Sequence, residues 1–65
     1  MAVIETALEM CVRHVVEQED RIIRQEALIE RLRKARLPLD AALQMLREMR
    51  VLLEEMRSHV TRLSN

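Results

Sequence analysis

An all-α helical hairpin is the fold this sequence predicts, and three observations carry the prediction. The 65 residues include no Gly, Phe, Tyr or Trp. Gly and Pro punctuate loops and turns, so a single Pro, at position 38, leaves room for one turn between two long helices. Apolar residues on both sides of that turn recur at helical spacing. The expected architecture is one domain over 1–65, an antiparallel pair of helices at about 2–35 and 40–63, dimerising into a four-helix bundle.

The first helix carries a seven-residue apolar repeat. Leu8, Val15, Ile22 and Ile29 take one seam position, and Ile4, Cys11, Gln18, Gln25 and Leu32 take the other, as in the a and d sites of a heptad. A second row, Val12, Val16 and Ile23, widens the stripe towards that of a bundle helix. Acid-first pairs at i,i+4 (Glu9–Arg13, Glu17–Arg21, Asp20–Arg24 and Glu30–Lys34) support the polar face by about 0.2–0.5 kcal/mol each. The last turn sets Arg31, Arg33, Lys34 and Arg36 against the negative end of the helix dipole.

At the turn, Pro38 drives Leu37 out of helical geometry, and Asp40 serves as a cap or a first-turn acid. The helical period returns from Ala41. Ala42, Met45, Leu46, Met49, Leu52, Leu53, Met56, Val60 and Leu63 then share one face. Leu43 and Val51 fall off that stripe as isolated apolar residues.

Such a chain is handicapped. A domain this short buries only about 60% of its unfolded surface, and no aromatic ring adds a large block of buried area. Cys11, the single cysteine, cannot close an internal disulfide, so oligomerisation is the leading remedy. The helices are also unequal. Folding back at Pro38 would bring Leu63 level with about Val12, leaving roughly ten residues overhanging with Val3, Ile4, Ala7 and Leu8 uncovered. A second copy is the expected cover, through Ile4, Leu8, Cys11, Val15, Gln18, Ile22, Gln25, Ile29, Met49 and Met56. Antiparallel packing of two hairpins would lay the acidic overhang (Glu5, Glu9) on the partner's basic tip.

Composition narrows function. Eleven basic and eleven acidic residues give no global field for nucleic acid or anionic lipid. No apolar run approaches a membrane span, and Met1–Leu8 carries Glu5 and lacks the layout of a signal peptide. With a lone Cys suited to a reducing compartment, the expectation is a cytoplasmic protein without a membrane partner.

Site candidates are few, and each has a plain structural alternative. Gln18 and Gln25 at seam positions fix register and oligomer state, or serve a ligand; the register role is preferred. Cys11, His14 and His59 fall near one level of the hairpin and form a candidate zinc-type ligand set. The preferred reading makes Cys11 a small core residue and both His boundary residues. Cys11 with His14 could also be drawn as nucleophile and base, but no third orienting group or Gly-rich oxyanion turn accompanies them, so no enzyme and no cofactor are expected. Arg31, Arg33, Lys34 and Arg36 make the tip the candidate contact for phosphate or an acidic partner, although no aromatic platform stands beside them. Met45, Met49 and Met56 are read as core filler.

Two stretches carry a resemblance. His14 to Gln25 (HVVEQEDRIIRQ), followed by Leu28, Ile29 and Leu32, resembles a group of short alphaproteobacterial helical-hairpin proteins of unknown function. Ala42–Leu46 and His59–Leu63 resemble the second helix of the same group. Members often have Gly near the turn and at the place of Gln18, and this chain departs from them at both. The resemblance implies only a small cytoplasmic helical hairpin and brings no assigned activity with it. In size and helix count the chain is also similar to the plasmid repressor-of-primer family, antiparallel dimers of hairpins that bind RNA. That likeness is architectural and has no matching motif.

The resulting expectation is a non-enzymatic, homo-oligomerising hairpin acting as a small protein–protein interaction or regulatory module. Its partners would be itself, as homodimer or tetramer, and an unidentified protein. The alternative is an RNA- or DNA-binding regulator using the Arg-rich tip.

Overall fold

The computed structural model describes residues 4–65, so Val3 of the expected overhang lies outside the described residues. Two helices, α1 (Ala7–Lys34) and α2 (Asp40–Ser64), account for nearly all of them. Among the described residues there is no strand.

Helix α1 starts at Ala7 rather than near residue 2, and a capping box is the reason. The Thr6 hydroxyl accepts the Glu9 N–H at 3.0 Å, and the Glu9 carboxylate accepts the Thr6 N–H at 3.4 Å. Two otherwise orphaned donors are thereby satisfied, and an N-cap of this kind contributes about 1 kcal/mol. Ile4 lies ahead of the helix and is 89% exposed, so it leaves the seam the heptad gave it.

At the other end α1 closes with a Schellman motif. Arg36 N–H donates to the Arg33 carbonyl at 3.1 Å, and Leu37 N–H donates to the Leu32 carbonyl at 2.9 Å. The motif requires left-handed backbone at Arg36, whose φ is 57°. A residue with a Cβ pays about 1–2 kcal/mol for that conformation, which glycine escapes. Arg36→Gly is therefore expected to raise stability by about 1 kcal/mol, read as a higher urea midpoint. An unchanged or lower midpoint would show that the Arg36 side chain supports the turn in another way. Helix α2 then begins without a side-chain cap, with Leu39 at the N-cap and Asp40 as a first-turn acid.

The helices meet along a narrow core. Ile22 and Ile29 of α1 and Leu46 and Leu53 of α2 are its buried apolar residues, with Val15, Leu39, Ala42, Leu43 and Met49 packed against them. Leu43 thus belongs to the core margin and not to the isolated surface residues. Its N–H donates to the Leu39 carbonyl at 2.8 Å, which holds it in the first turn of α2.

Gln18, at 2% exposure the most buried side chain, donates to the Met49 carbonyl at 3.0 Å. Gln25, seven residues on, donates to the Ala42 carbonyl at 2.9 Å, seven residues earlier in α2. These two bonds run in opposite sequence order along the helices, and they fix an antiparallel register. Among the described residues no fully buried side-chain N or O lacks a partner.

That register corrects two expectations. Cys11 and His14 share a groove with Met56 and His59, so α2 already reaches the level of Cys11 before it arrives at Leu63. With α1 starting at Ala7, no long helical overhang remains among the described residues. The assignment of Gln18, Ile22, Gln25 and Ile29 to a dimer interface is corrected as well, since all four are buried inside the hairpin. Val15 and Met49 pack against the same core. A short turn makes α2 of the same chain the nearest partner for the heptad seam of α1. Of the expected interface, Leu8, Cys11 and Met56 remain half-buried and Ile4 exposed.

Candidate interaction surfaces

Two helices in contact form one layer, and the dimensions show it: 48 × 28 × 12 Å over Cα positions. The radius of gyration is 15.4 Å, against about 11 Å for a globular chain of this length. Accessible surface is 5349 Å², whereas a compact monomer of 7.7 kDa would expose about 4,300 Å². The excess, roughly 1,000 Å², is comparable with the share one partner contributes to a standard protein interface, about 800 Å². Among the described residues, eleven large apolar side chains are exposed and only four are buried.

The two flanks of this layer differ. Across one, Arg50 reaches Glu26 at 3.1 Å and Arg57 reaches Glu19 at 3.0 Å. Each partner pair is seven residues apart, so these ion pairs repeat the heptad of the core beneath them. Both are half-exposed and contribute about 0.2–1 kcal/mol each. The hydrogen bond from Arg57 to Glu19 also holds the Arg57 guanidinium more firmly protonated than usual. Val12, Val15, Val16 and Val60 border this flank near the open end of the hairpin.

No ion pair among the described residues crosses the other flank. Its landmark is an open groove of about 230 Å³ lined by Cys11, His14, Glu55, Met56 and His59. From these residues the helical period carries the flank along both helices. On α1, His14 leads back to Met10 and forward to Arg21 and Leu28; on α2, Met56 leads to Met45, Leu52 and Leu63. Met10, Leu28, Met45, Leu52 and Leu63 are all exposed, Met45 to 53%.

The groove gathers the three ligands considered for zinc without making a metal site of them. Among the described residues, no three His, Cys, Asp or Glu side chains converge to hold a metal ion. Cys11 and His14 are half-buried on α1, whereas His59 is exposed on α2 with Arg62 at 3.5 Å from its Nδ1.

At the tip, Arg31, Arg33, Lys34 and Arg36 are exposed beside Leu37 and Pro38. Glu30 faces Arg33 at 3.7 Å instead of the expected Lys34. Among the described residues Arg31, Lys34 and Arg36 have no acidic partner.

At the open end an acidic–basic clamp appears that i,i+4 pairing did not foresee. Arg13 binds both oxygens of Glu5, at 2.9 and 3.1 Å, and donates to Glu17 at 2.9 Å. Glu9, its expected partner, is held in the capping box. The hydrogen bond from Arg13 holds the Glu5 carboxyl below the usual glutamate range, against a smaller opposing effect of desolvation. A depressed carboxyl pKa supplies its stabilisation above the unfolded value and loses it as pH falls through the folded one. The first turn of α1 is therefore expected to fray in acid before the middle of the helix, read by amide exchange at Glu9 and Met10, whose N–H groups donate to Thr6. Glu5→Gln should remove that pH step; if the step persists, Glu5 is not its source.

The chain matches no protein-family model, no curated protein and no solved structure. Among the described residues, no helix is long and apolar enough to cross a membrane.

Proposed function

We propose that the chain is a non-enzymatic helical hairpin that associates with a second copy into a four-helix bundle and works in the cytoplasm as a small protein–protein interaction or regulatory module. One observation carries this reading: the hairpin is a single layer with roughly 1,000 Å² more surface than a compact monomer of its mass. Stable domains are built from two packed layers around a core, and the exposed apolar side chains are the material of the missing contact. If folding and association are coupled, the melting temperature rises with protein concentration. A melt that is cooperative and independent of concentration would contradict the reading.

A second reading is favoured by the tip, where three exposed cations lack acidic partners among the described residues. Such a cluster suits phosphate groups of structured RNA or duplex DNA. Gel shifts at two salt concentrations test it, since phosphate contacts weaken steeply with salt. No shift at low salt would remove nucleic acid from consideration.

A further inference from the structure

We propose that the second copy docks on the methionine–leucine flank, with the two-fold axis running along the hairpin, so that α1 of each copy lies over α2 of the other and both basic tips point the same way. This rests on the oligomeric reading above and adds its face and its orientation.

The face follows from the difference between the flanks. Glu19–Arg57 and Glu26–Arg50 already bridge one of them with charged groups that a docking surface would have to desolvate. The other offers Met45, Leu52 and Leu63 on α2 and Met10 and Leu28 on α1, all exposed. Association through apolar groups spaced by helical turns is the ordinary way for a bundle to gain its second layer.

The occupant and orientation follow from charge. Arg21, midway between His14 and Leu28 at seven-residue spacing, stands in the α1 row of this flank. Glu48 and Glu55, also seven apart, stand on the α2 edge, where they border Leu52. All three are exposed, and none takes part in an ion pair among the described residues. The register set by Gln18–Met49 and Glu19–Arg57 puts Arg21 at a level between Leu46 and Glu55. One flank thus carries both halves of a complementary pair, which is the requirement for binding its own copy.

A two-fold axis along the hairpin preserves level and exchanges the helices. Arg21 then lies over Glu48 and Glu55 of the second copy. An axis across the hairpin would stack α1 on α1 and α2 on α2, placing Arg21 by Arg21 and Glu48 by Glu55. Like charges bordering a buried contact are strongly disfavoured. The opposing factor is the approach of two basic tips, but these lie in open solvent, where charges are screened beyond about 8 Å at physiological salt. Glu5 and Glu9, the acids that would favour tip-to-tail packing, are engaged by Arg13 and Thr6.

Sedimentation equilibrium on four full-length variants tests this. Leu52→Glu should weaken the dimer at least about tenfold, while Val16→Glu on the opposite side leaves it unchanged. Arg21→Glu should weaken it several-fold, and adding Glu48→Arg with Glu55→Arg should restore it. If Val16→Glu and not Leu52→Glu dissociates the dimer, the face is wrong and the oligomeric reading survives. If Arg21→Glu has no effect, or the added reversals fail to restore association, the orientation is wrong. A native chain that is monomeric throughout overturns both the inference and the reading beneath it.

Discussion

Replacing Leu53 with Ala is expected to leave the chain largely unfolded where the native sequence is helical. Among the described residues Leu53 is one of four buried apolar residues, and it contributes half of what α2 places at the centre of the core. A buried Leu→Ala change costs about 2–5 kcal/mol, from lost transfer energy and the cavity left behind. A chain of this length has about 3–10 kcal/mol of stability in total. In a globular domain the neighbours could close over part of the void. Here the core of each hairpin is one side chain deep, and no second layer of its own can close in. Circular dichroism at a concentration where the native chain is fully helical should show most of the helix signal gone. Retention of the signal, with a melting temperature within a few degrees of native, would show that the hairpin does not depend on this core.

Gln18 carries the second large effect, and its sign depends on the replacement. Gln18→Ala removes the most buried side chain and its bond to the Met49 carbonyl, at an expected cost of about 2–3 kcal/mol. Gln18→Met keeps the volume and puts an apolar group at the seam. The Met49 carbonyl lies within α2 and can keep its helical hydrogen bond, so this variant should be close to native in stability or above it. What it should lose is uniqueness. Gln18 and Gln25 can reach Met49 and Ala42 in only one register, and methionines can slide. The combined Gln18→Met, Gln25→Met chain should therefore melt no lower than native yet give broadened amide resonances. Sharp, native-like spectra would show that the apolar seam alone fixes the register.

The sequence made the helices and the seam legible because both are periodic. From Leu8 to Leu32 every a and d residue of the heptad is buried or half-buried. Asp20–Arg24 forms at 2.8 Å where spacing placed it. The start of α1 went astray for a local reason: Thr6-Ala7-Leu8-Glu9 is a capping-box signature, and the apolar repeat reaching back to Ile4 hid it. The left-handed residue at Arg36 left no trace in composition, since glycine normally marks that position.

Surfaces were read less well than the core. Counting only i,i+4 partners paired Glu9 with Arg13 and Glu17 with Arg21, whereas Arg13 is taken by Glu5 and Glu17. The bridges from Arg50 and Arg57 depend on the register between helices, which periodicity along one helix does not encode. The same limit explains the interface list. A heptad seam announces that a helix has a partner, but the short turn decides that the partner is α2 of the same chain.

Sedimentation equilibrium of the native full-length chain, followed down to the lowest detectable concentration, tests the central claim most directly. The account predicts a species of twice the 7.7 kDa chain mass, dissociating on dilution together with loss of helix. A folded species of single-chain mass that keeps its helicity at every concentration would contradict it.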